Sequence, residues 1–75
     1  MVVDIELSET EWDRIFRALA DMTRRDILRR TLLAEQSVST LAAEYDMSFA
    51  AVQKHVAVLE AANLIVKRVE GRERL

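Results

Sequence analysis

Apolar residues recur at helical spacing in four successive segments of the chain. In the first segment they mark one helix face: Trp12, Ile15, Phe16 and Leu19. Ser8 and Glu11 precede this face in the S-x-x-E arrangement that caps the start of a helix. The pattern predicts a first helix over about residues 9–20.

Two shorter segments follow the first helix. Asp21 can cap a second helix, and residues 33–37 form a polar break after it. The predicted apolar face of this helix consists of Ile27, Leu28 and Leu32. Ser37 can cap a third helix. Its predicted inward positions are Val38, Leu41, Ala42 and Tyr45.

A fourth helix is predicted over residues 48–62, after a tight turn at Asp46 and Met47. Ser48 is its expected cap. Its buried face is predicted to hold Val52, Val56 and Leu59. Asn63 tolerates the left-handed conformation that ends many helices, so we expect the helix to stop there.

The end of the chain has the pattern of a β-hairpin. Residues 64–69 are predicted to form one strand, Glu70 and Gly71 the turn, and residues 72–75 a returning strand. Residues 1–7 alternate only weakly, and could form a strand or no regular structure. The predicted fold is a single mainly α domain over residues 1–75 with a small β-hairpin.

The third and fourth helices, joined by a short turn, match the helix-turn-helix pattern of DNA-binding proteins. In that pattern residues 48–62 would enter the major groove, and the N-terminal part of the helix would reach the base edges. Gln53 can pair bidentately with adenine, and Lys54 can reach guanine or a phosphate. The candidate DNA-binding residues on this helix are Ser48, Phe49, Ala50, Gln53, Lys54 and His55.

Charge is distributed unevenly along the chain, whose formal net charge is −2. Residues 1–13 carry five acidic and no basic side chains, whereas the remainder carries eleven basic and eight acidic residues, a net charge of +3. The hairpin, residues 64–75, could form a wing on the phosphate backbone. Its candidate contacts are Lys67, Arg68, Arg72 and Arg74.

The segments "IFRALADMTRRDILRRTL" and "SVSTLAAEYDMSFAAVQKHVAVLEAANLIVKRVEGRERL" resemble the ArsR family of winged helix-turn-helix repressors. The resemblance covers roughly residues 15–75. It implies a dimeric repressor that binds palindromic operators in double-stranded DNA, and it favours a phosphate contact for His55. Such proteins often sense metals or redox state.

The sequence departs from this family pattern at four places. Ser37-Val38-Ser39 stands where family metal sensors carry Cys-Val-Cys, and serine is a poor ligand for soft metals. Met22 replaces a common proline, and Asn63 replaces the usual glycine. The family's final helix, which pairs subunits, has no counterpart. We therefore expect no metal site and no cofactor, and the effector is unknown.

Several side chains have two readings. The face of Trp12, Ile15, Phe16 and Leu19 could be core or a homodimer interface, in which aromatic residues are enriched. His55 could equally pack at the helix edge. Phe49 could touch a thymine methyl or fold back beside Tyr45. Arg24 and Arg25 are predicted to pair with Asp21, Asp26 or Glu60 in preference to DNA, whereas Arg29 and Arg30 are expected to be solvated.

Composition excludes several classes of function. Without cysteine there is no disulfide framework and no thiol nucleophile, and one histidine has no acid in register for a catalytic triad. No apolar run is long enough for a membrane span or a secretory signal. We expect a cytoplasmic protein that is not an enzyme. The alternative to DNA binding is a protein–protein interaction module that docks through residues 9–20.

Overall fold

The computed structural model describes residues 1–67 of the 75-residue chain. It contains four helices: α1 (Glu9–Leu19), α2 (Met22–Leu33), α3 (Val38–Ala42) and α4 (Phe49–Ala61). Within residues 1–67 there is no β-strand, and no helix is long and apolar enough to cross a membrane. Residues 1–7 have no regular structure.

Each helix begins at a residue whose side chain accepts a backbone hydrogen bond. The four capping residues are Ser8, Asp21, Ser37 and Ser48. At α1 the cap is reciprocal, because Glu11 N donates to Ser8 Oγ at 3.1 Å and Ser8 N donates to Glu11 Oε1 at 2.9 Å. All four predicted starts are confirmed, since a cap depends on residues only three positions apart.

The core is small and entirely apolar. Its buried residues are Ala18, Ile27, Leu41, Val52, Val56, Leu59 and Ala62. The three predicted core positions of α4 are among them. Ile27, Val52 and Leu59 are completely inaccessible to solvent, and burial of each stabilises the fold by about 1.5–3 kcal/mol. Helix α4 packs against each of α1, α2 and α3, so it occupies the centre of the domain.

The predicted apolar face of α2 is wrong at Leu32, which is 76% exposed. Ile27 is buried and Leu28 is half-buried, as expected. At about 100° per residue, Leu32 lies roughly 140° around the helix from Ile27 and therefore points away from the core. The predicted polar break also begins one residue later, because α2 includes Leu33.

Helix α3 is shorter than predicted. Glu44 N donates to Leu41 O, and Tyr45 N donates to Ala42 O, so the backbone tightens to a three-residue spacing after Ala42. Tyr45 consequently lies in the connection to α4 and not in the helix, although its side chain still packs against the core. The connection of residues 43–48 is longer than the predicted turn.

The end of α4 is closed by a left-handed residue, as predicted. Asn63 has φ of 60°. Asn63 N donates to Glu60 O and Leu64 N donates to Leu59 O, which is the paired hydrogen bonding of a Schellman motif. Residues 64–67 then leave the helix without forming a strand. The rest of the predicted hairpin, residues 68–75, lies outside the described residues.

Candidate nucleic-acid interface

The exposed side of α4 is polar and basic, opposite its buried apolar side. Gln53 and Lys54 are both exposed, with Ala50 and Ala57 beside them. Within residues 1–67 the side chains of Gln53 and Lys54 make no hydrogen bond or ion pair to another residue. The polar atoms of both side chains are therefore free to contact a ligand.

Lys67 joins this surface from the segment after α4. Together with Ala50, Gln53, Lys54 and Ala57 it lines an open depression of about 340 Å³. Its Nζ lies 3.8 Å from Oε1 of Glu60, a weak ion pair between partly exposed groups. The structure thus brings together four of the predicted DNA-binding residues, Ala50, Gln53, Lys54 and Lys67. Arg68, Arg72 and Arg74 lie outside the described residues.

The first residues of α4 lie next to this depression, because Ala50 is part of its lining. Ser48 Oγ accepts a hydrogen bond from Ala51 N at 3.1 Å, so Ser48 has a structural task. Phe49 is 48% exposed, which leaves part of its ring available for an apolar contact. The first turn of α4 contains no acidic residue. No carboxylate in that turn neutralises the positive end of the helix dipole.

His55 lies away from Gln53, at the edge of the buried side of α4. Its side chain is 24% exposed. Its Nδ1 lies 3.2 Å from Nη1 of Arg24 and 3.8 Å from Oδ2 of Asp21, both on or next to the first turn of α2. Of the two readings of His55, packing at the helix edge accounts for these contacts.

The predicted ion pairs of Arg24 and Arg25 are wrong. Arg24 donates to Arg17 O and Ala18 O, and Arg25 donates to Leu19 O at 2.7 Å. These acceptors are carbonyls in the last turn of α1, where the helix has unsatisfied oxygens and the negative end of its dipole. That end of α1 offsets the cost of two cations at the start of α2.

A second polar cluster joins α2 to the connection before α4. Tyr45 donates its hydroxyl to Asp26 Oδ2 at 2.6 Å, and Arg30 donates to the same oxygen at 2.9 Å while lying over the Tyr45 ring. These two hydrogen bonds lower the pKa of Asp26, the tyrosine more than the arginine. Burial, followed by the bond to Asp26, raises the pKa of Tyr45.

The sequence does not predict this cluster, because from its pattern we expect Arg29 and Arg30 to be solvated. Arg30 also lies 3.6 Å from Glu44, and Arg29 lies 3.7 Å from Asp26. The i, i+4 spacing of Asp26 and Arg30 is a signal of a helical ion pair that could have been used. No sequence signal indicated that Tyr45, nineteen positions from Asp26, would complete it.

The predicted dimer face divides into two parts. Ile15 packs against the core, and Leu19 is half-buried. Trp12 and Phe16 stack on one another with ring centroids 5.8 Å apart, and Phe16 is 65% exposed. The aromatic pair is therefore the part of this face that remains available for a partner.

The described residues contain no grouping of three or more histidine, aspartate or glutamate side chains that could hold a metal ion.

Comparison with known proteins shows the family to which this sequence belongs. The helix-turn-helix domain family matches residues 14–68, which include α2, α3, α4 and all but the first five residues of α1. The chain is 40% identical over 63 residues to the HTH-type transcriptional regulator Rv2034 of Mycobacterium tuberculosis, a match that covers 84% of this chain. It is 39% identical over 70 residues to the uncharacterized HTH-type transcriptional regulator YuzN of Bacillus subtilis, with 84% of this chain covered.

The chain therefore belongs to the helix-turn-helix domain family. It spans 59% of the length of the Mycobacterium regulator and 76% of the length of the Bacillus one. Both relatives are named as HTH-type transcriptional regulators.

Proposed function

We propose that the chain is a sequence-specific regulator of transcription, acting as a repressor, that inserts α4 into the major groove of duplex DNA. The observation that carries this proposal is the exposed face of α4, where Gln53 and Lys54 lie unpaired beside Lys67. A helix with one buried and one polar, uncommitted face, preceded by a short helix and a turn, has the form of a recognition helix.

The side chains on this face suit different parts of DNA. The amide of Gln53 offers a donor and an acceptor side by side, which fits the adenine edge and carries sequence information. Lys54 and Lys67 are flexible point charges that suit phosphate or guanine. Arg68, Arg72 and Arg74 follow in the sequence and would extend the phosphate contacts as a wing over residues 64–75.

The further features of the proposal follow the resemblance to ArsR repressors. The regulator would be a homodimer on a palindromic site, with residues 1–75 as one domain and the Trp12–Phe16 pair at the subunit interface. Phe16 is exposed and stacks on the half-buried Trp12, and aromatic residues are enriched in interface cores. A cytoplasmic location remains a prediction of the DNA-binding role.

A different function is favoured by the same aromatic pair. A protein–protein interaction module could dock a partner through α1, with Phe16 as its anchor and the acidic residues 1–13 as its charged rim. In that case α4 would have no role in binding. The two functions therefore make opposite predictions for substitutions on α4.

Substitution of Gln53 and Lys54 separates these functions. Gln53→Ala should cost about 1–3 kcal/mol on a preferred duplex and relax discrimination at one base pair. Lys54→Ala should weaken binding to every duplex alike and reduce the slope of log affinity against log salt by about one. Fluorescence anisotropy on a duplex selected from a random library, and on its scrambled version, at several salt concentrations measures both effects.

Arg14→Ala is the matched control, since it removes a positive charge from the exposed surface of α1. It should leave the affinity and the salt slope nearly unchanged. Identical behaviour of Gln53→Ala and Lys54→Ala contradicts the roles given to the two side chains. If neither substitution changes binding, α4 is not the recognition helix and the interaction-module function is favoured.

A further inference from the structure

Arg24, which lies on α2, contacts two other helices through one guanidinium group. Its Nε donates to Ala18 O at 2.9 Å and its Nη2 donates to Arg17 O at 3.0 Å, both at the C-terminal end of α1. Its Nη1 lies 3.2 Å from Nδ1 of His55 on α4. Because all three nitrogens are engaged, the plane of the guanidinium group is fixed relative to both α1 and α4.

This contact determines which nitrogen of a neutral His55 carries the proton. A guanidinium group has donors and no acceptor, so Nδ1 must accept the hydrogen bond from Arg24. A neutral imidazole has one donor and one acceptor, which leaves the proton on Nε2. Arg24 therefore selects the Nε2–H tautomer of His55.

Asp21 competes for the same nitrogen in the opposite sense. Its Oδ2 lies 3.8 Å from His55 Nδ1, and after a small approach it could accept a hydrogen bond from the Nδ1–H tautomer. The same oxygen accepts a hydrogen bond from Arg24 N at 2.9 Å, and this bond lowers the pKa of Asp21 and keeps it a carboxylate. Without the Arg24 side chain, Asp21 would be the nearest polar partner of Nδ1 and would reverse the tautomer.

We propose that Arg24 is a positioning residue for DNA recognition, which sets the orientation of α4 by joining His55 to the last turn of α1. This inference rests on the proposed function, because it assigns a task to a half-buried side chain of the recognition helix. Arg24 does not itself touch DNA in this arrangement. It acts by tying α4 to the end of α1 and by holding the imidazole ring in one protonation pattern.

Nitrogen NMR of the histidine ring tests the contact without any DNA. His55 is the only histidine in the chain, so an untagged, ¹⁵N-labelled protein gives an unambiguous signal on the alkaline plateau of its titration curve. The wild-type ring should be in the Nε2–H form. In Arg24→Met the ring should change to the Nδ1–H form, with Nδ1 donating to Asp21. An unchanged tautomer in Arg24→Met overturns the inference.

Arg25→Met is the matched control. Arg25 also donates to a carbonyl at the end of α1, Leu19 O, but has no contact with His55 among the described residues. Arg24→Met loses two hydrogen bonds to the last turn of α1 and Arg25→Met loses one, yet only Arg24→Met should change the tautomer. If both variants change it, the effect comes from loosening of α1 and the specific role of Arg24 is wrong.

Anisotropy with a duplex selected by the wild-type protein tests the consequence for binding. Arg24→Met should weaken the affinity roughly tenfold, the size expected for one lost hydrogen bond to a charged group, whereas Arg25→Met should stay within about twofold. Equal weakening by both variants overturns the positioning role. A wild-type protein that binds no duplex overturns the proposed function, while the tautomer measurement still decides the Arg24–His55 contact.

Arg24→Lys keeps the inference testable if Arg24→Met does not fold, as judged by circular dichroism. Lysine retains the charge, but a single ammonium group cannot donate to the two α1 carbonyls and His55 in the geometry of the planar group. We expect a mixture of tautomers and about threefold weaker binding. A lysine variant that matches the wild-type protein in both measurements shows that charge alone suffices and overturns the positioning role.

Discussion

At the scale of single residues, arginine side chains hold together helices that share only a small core. Arg24 and Arg25 donate to the final carbonyls of α1, and Arg30 joins Asp26 to Tyr45. These contacts are directional, whereas apolar packing is not. They therefore fix the angles between neighbouring helices, and the position of α4 depends on them.

Loss of the Tyr45 hydroxyl should destabilise the domain. Tyr45→Phe keeps the ring but removes the donor to Asp26 Oδ2, leaving a partly shielded carboxylate with fewer partners. We expect the melting temperature to fall by a few degrees at neutral pH, measured by circular dichroism. Glu44→Gln is the control, because Glu44 lies at the exposed edge of the cluster, 3.6 Å from Arg30, and its replacement should change little.

The effect of Tyr45→Phe should disappear in acid. The folded protein lowers the pKa of Asp26 below its ordinary value of 3.8, so the stabilisation is present above that value and is lost as pH falls through the lowered pKa. Below that point the Asp26 carboxylate is protonated in both the wild-type protein and the variant. A difference in melting temperature that persists unchanged into strong acid contradicts the role of the Asp26 carboxylate.

At the scale of secondary structure, the beginnings of the helices were predictable and some of their extents were not. Ser8 and Ser48 cap through residues three positions along the chain, a distance that sequence displays directly. The end of α3 at Ala42 and the exposure of Leu32 depend on which neighbours remain to be covered. Leu32 is exposed because α2 packs against α4 with its Ile27 side, and that choice of side is made by contacts between distant segments.

Replacement of Asn63 should show the energy of the left-handed residue that ends α4. Asn63→Gly should raise the free energy of unfolding by about 0.5–1 kcal/mol, because glycine adopts a φ of 60° without steric cost. Asn63→Ala should lower it by about 1 kcal/mol. Urea denaturation measures both, and a stabilising alanine contradicts the assigned conformation.

The exposed residues of the candidate interface were predictable from the sequence, but the contacts that hold the interface in place were not. Gln53 and Lys54 follow from the periodicity of α4, because once Val52 and Val56 are buried the opposite side must be exposed. The partner of His55 could not be predicted, since Arg24 lies 31 positions away and is brought close only by the packing of α2 against α4. Contacts between distant segments leave no local pattern.

At the scale of the whole molecule, residues 1–67 hold an aromatic pair and an exposed polar surface on different helices. Trp12 and Phe16 lie on α1, whereas Gln53 and Lys54 lie on α4. In the proposed regulator the first surface would pair subunits and the second would bind DNA. Two such surfaces on different helices allow both contacts to form at once, as a palindromic site requires.

Substitution of Phe16 tests the subunit interface. Light scattering at micromolar concentration should give a dimer for the wild-type protein and a monomer for Phe16→Glu. Phe16 is 65% exposed, so the substitution should cost the folded monomer little stability. Met22→Glu is the control, because Met22 is a similarly exposed apolar residue on α2. The Met22→Glu variant should remain dimeric. A monomeric wild-type protein contradicts the proposed interface.

The side-chain caps at the four helix starts have a consequence for how quickly the chain folds. Each cap is formed within four consecutive residues, so each helix can nucleate before any distant contact exists. The chain contains neither proline nor cysteine, so neither prolyl isomerisation nor disulfide exchange can delay it. Refolding from urea should therefore proceed in a single phase, in the microsecond to millisecond range typical of helical domains with local contacts.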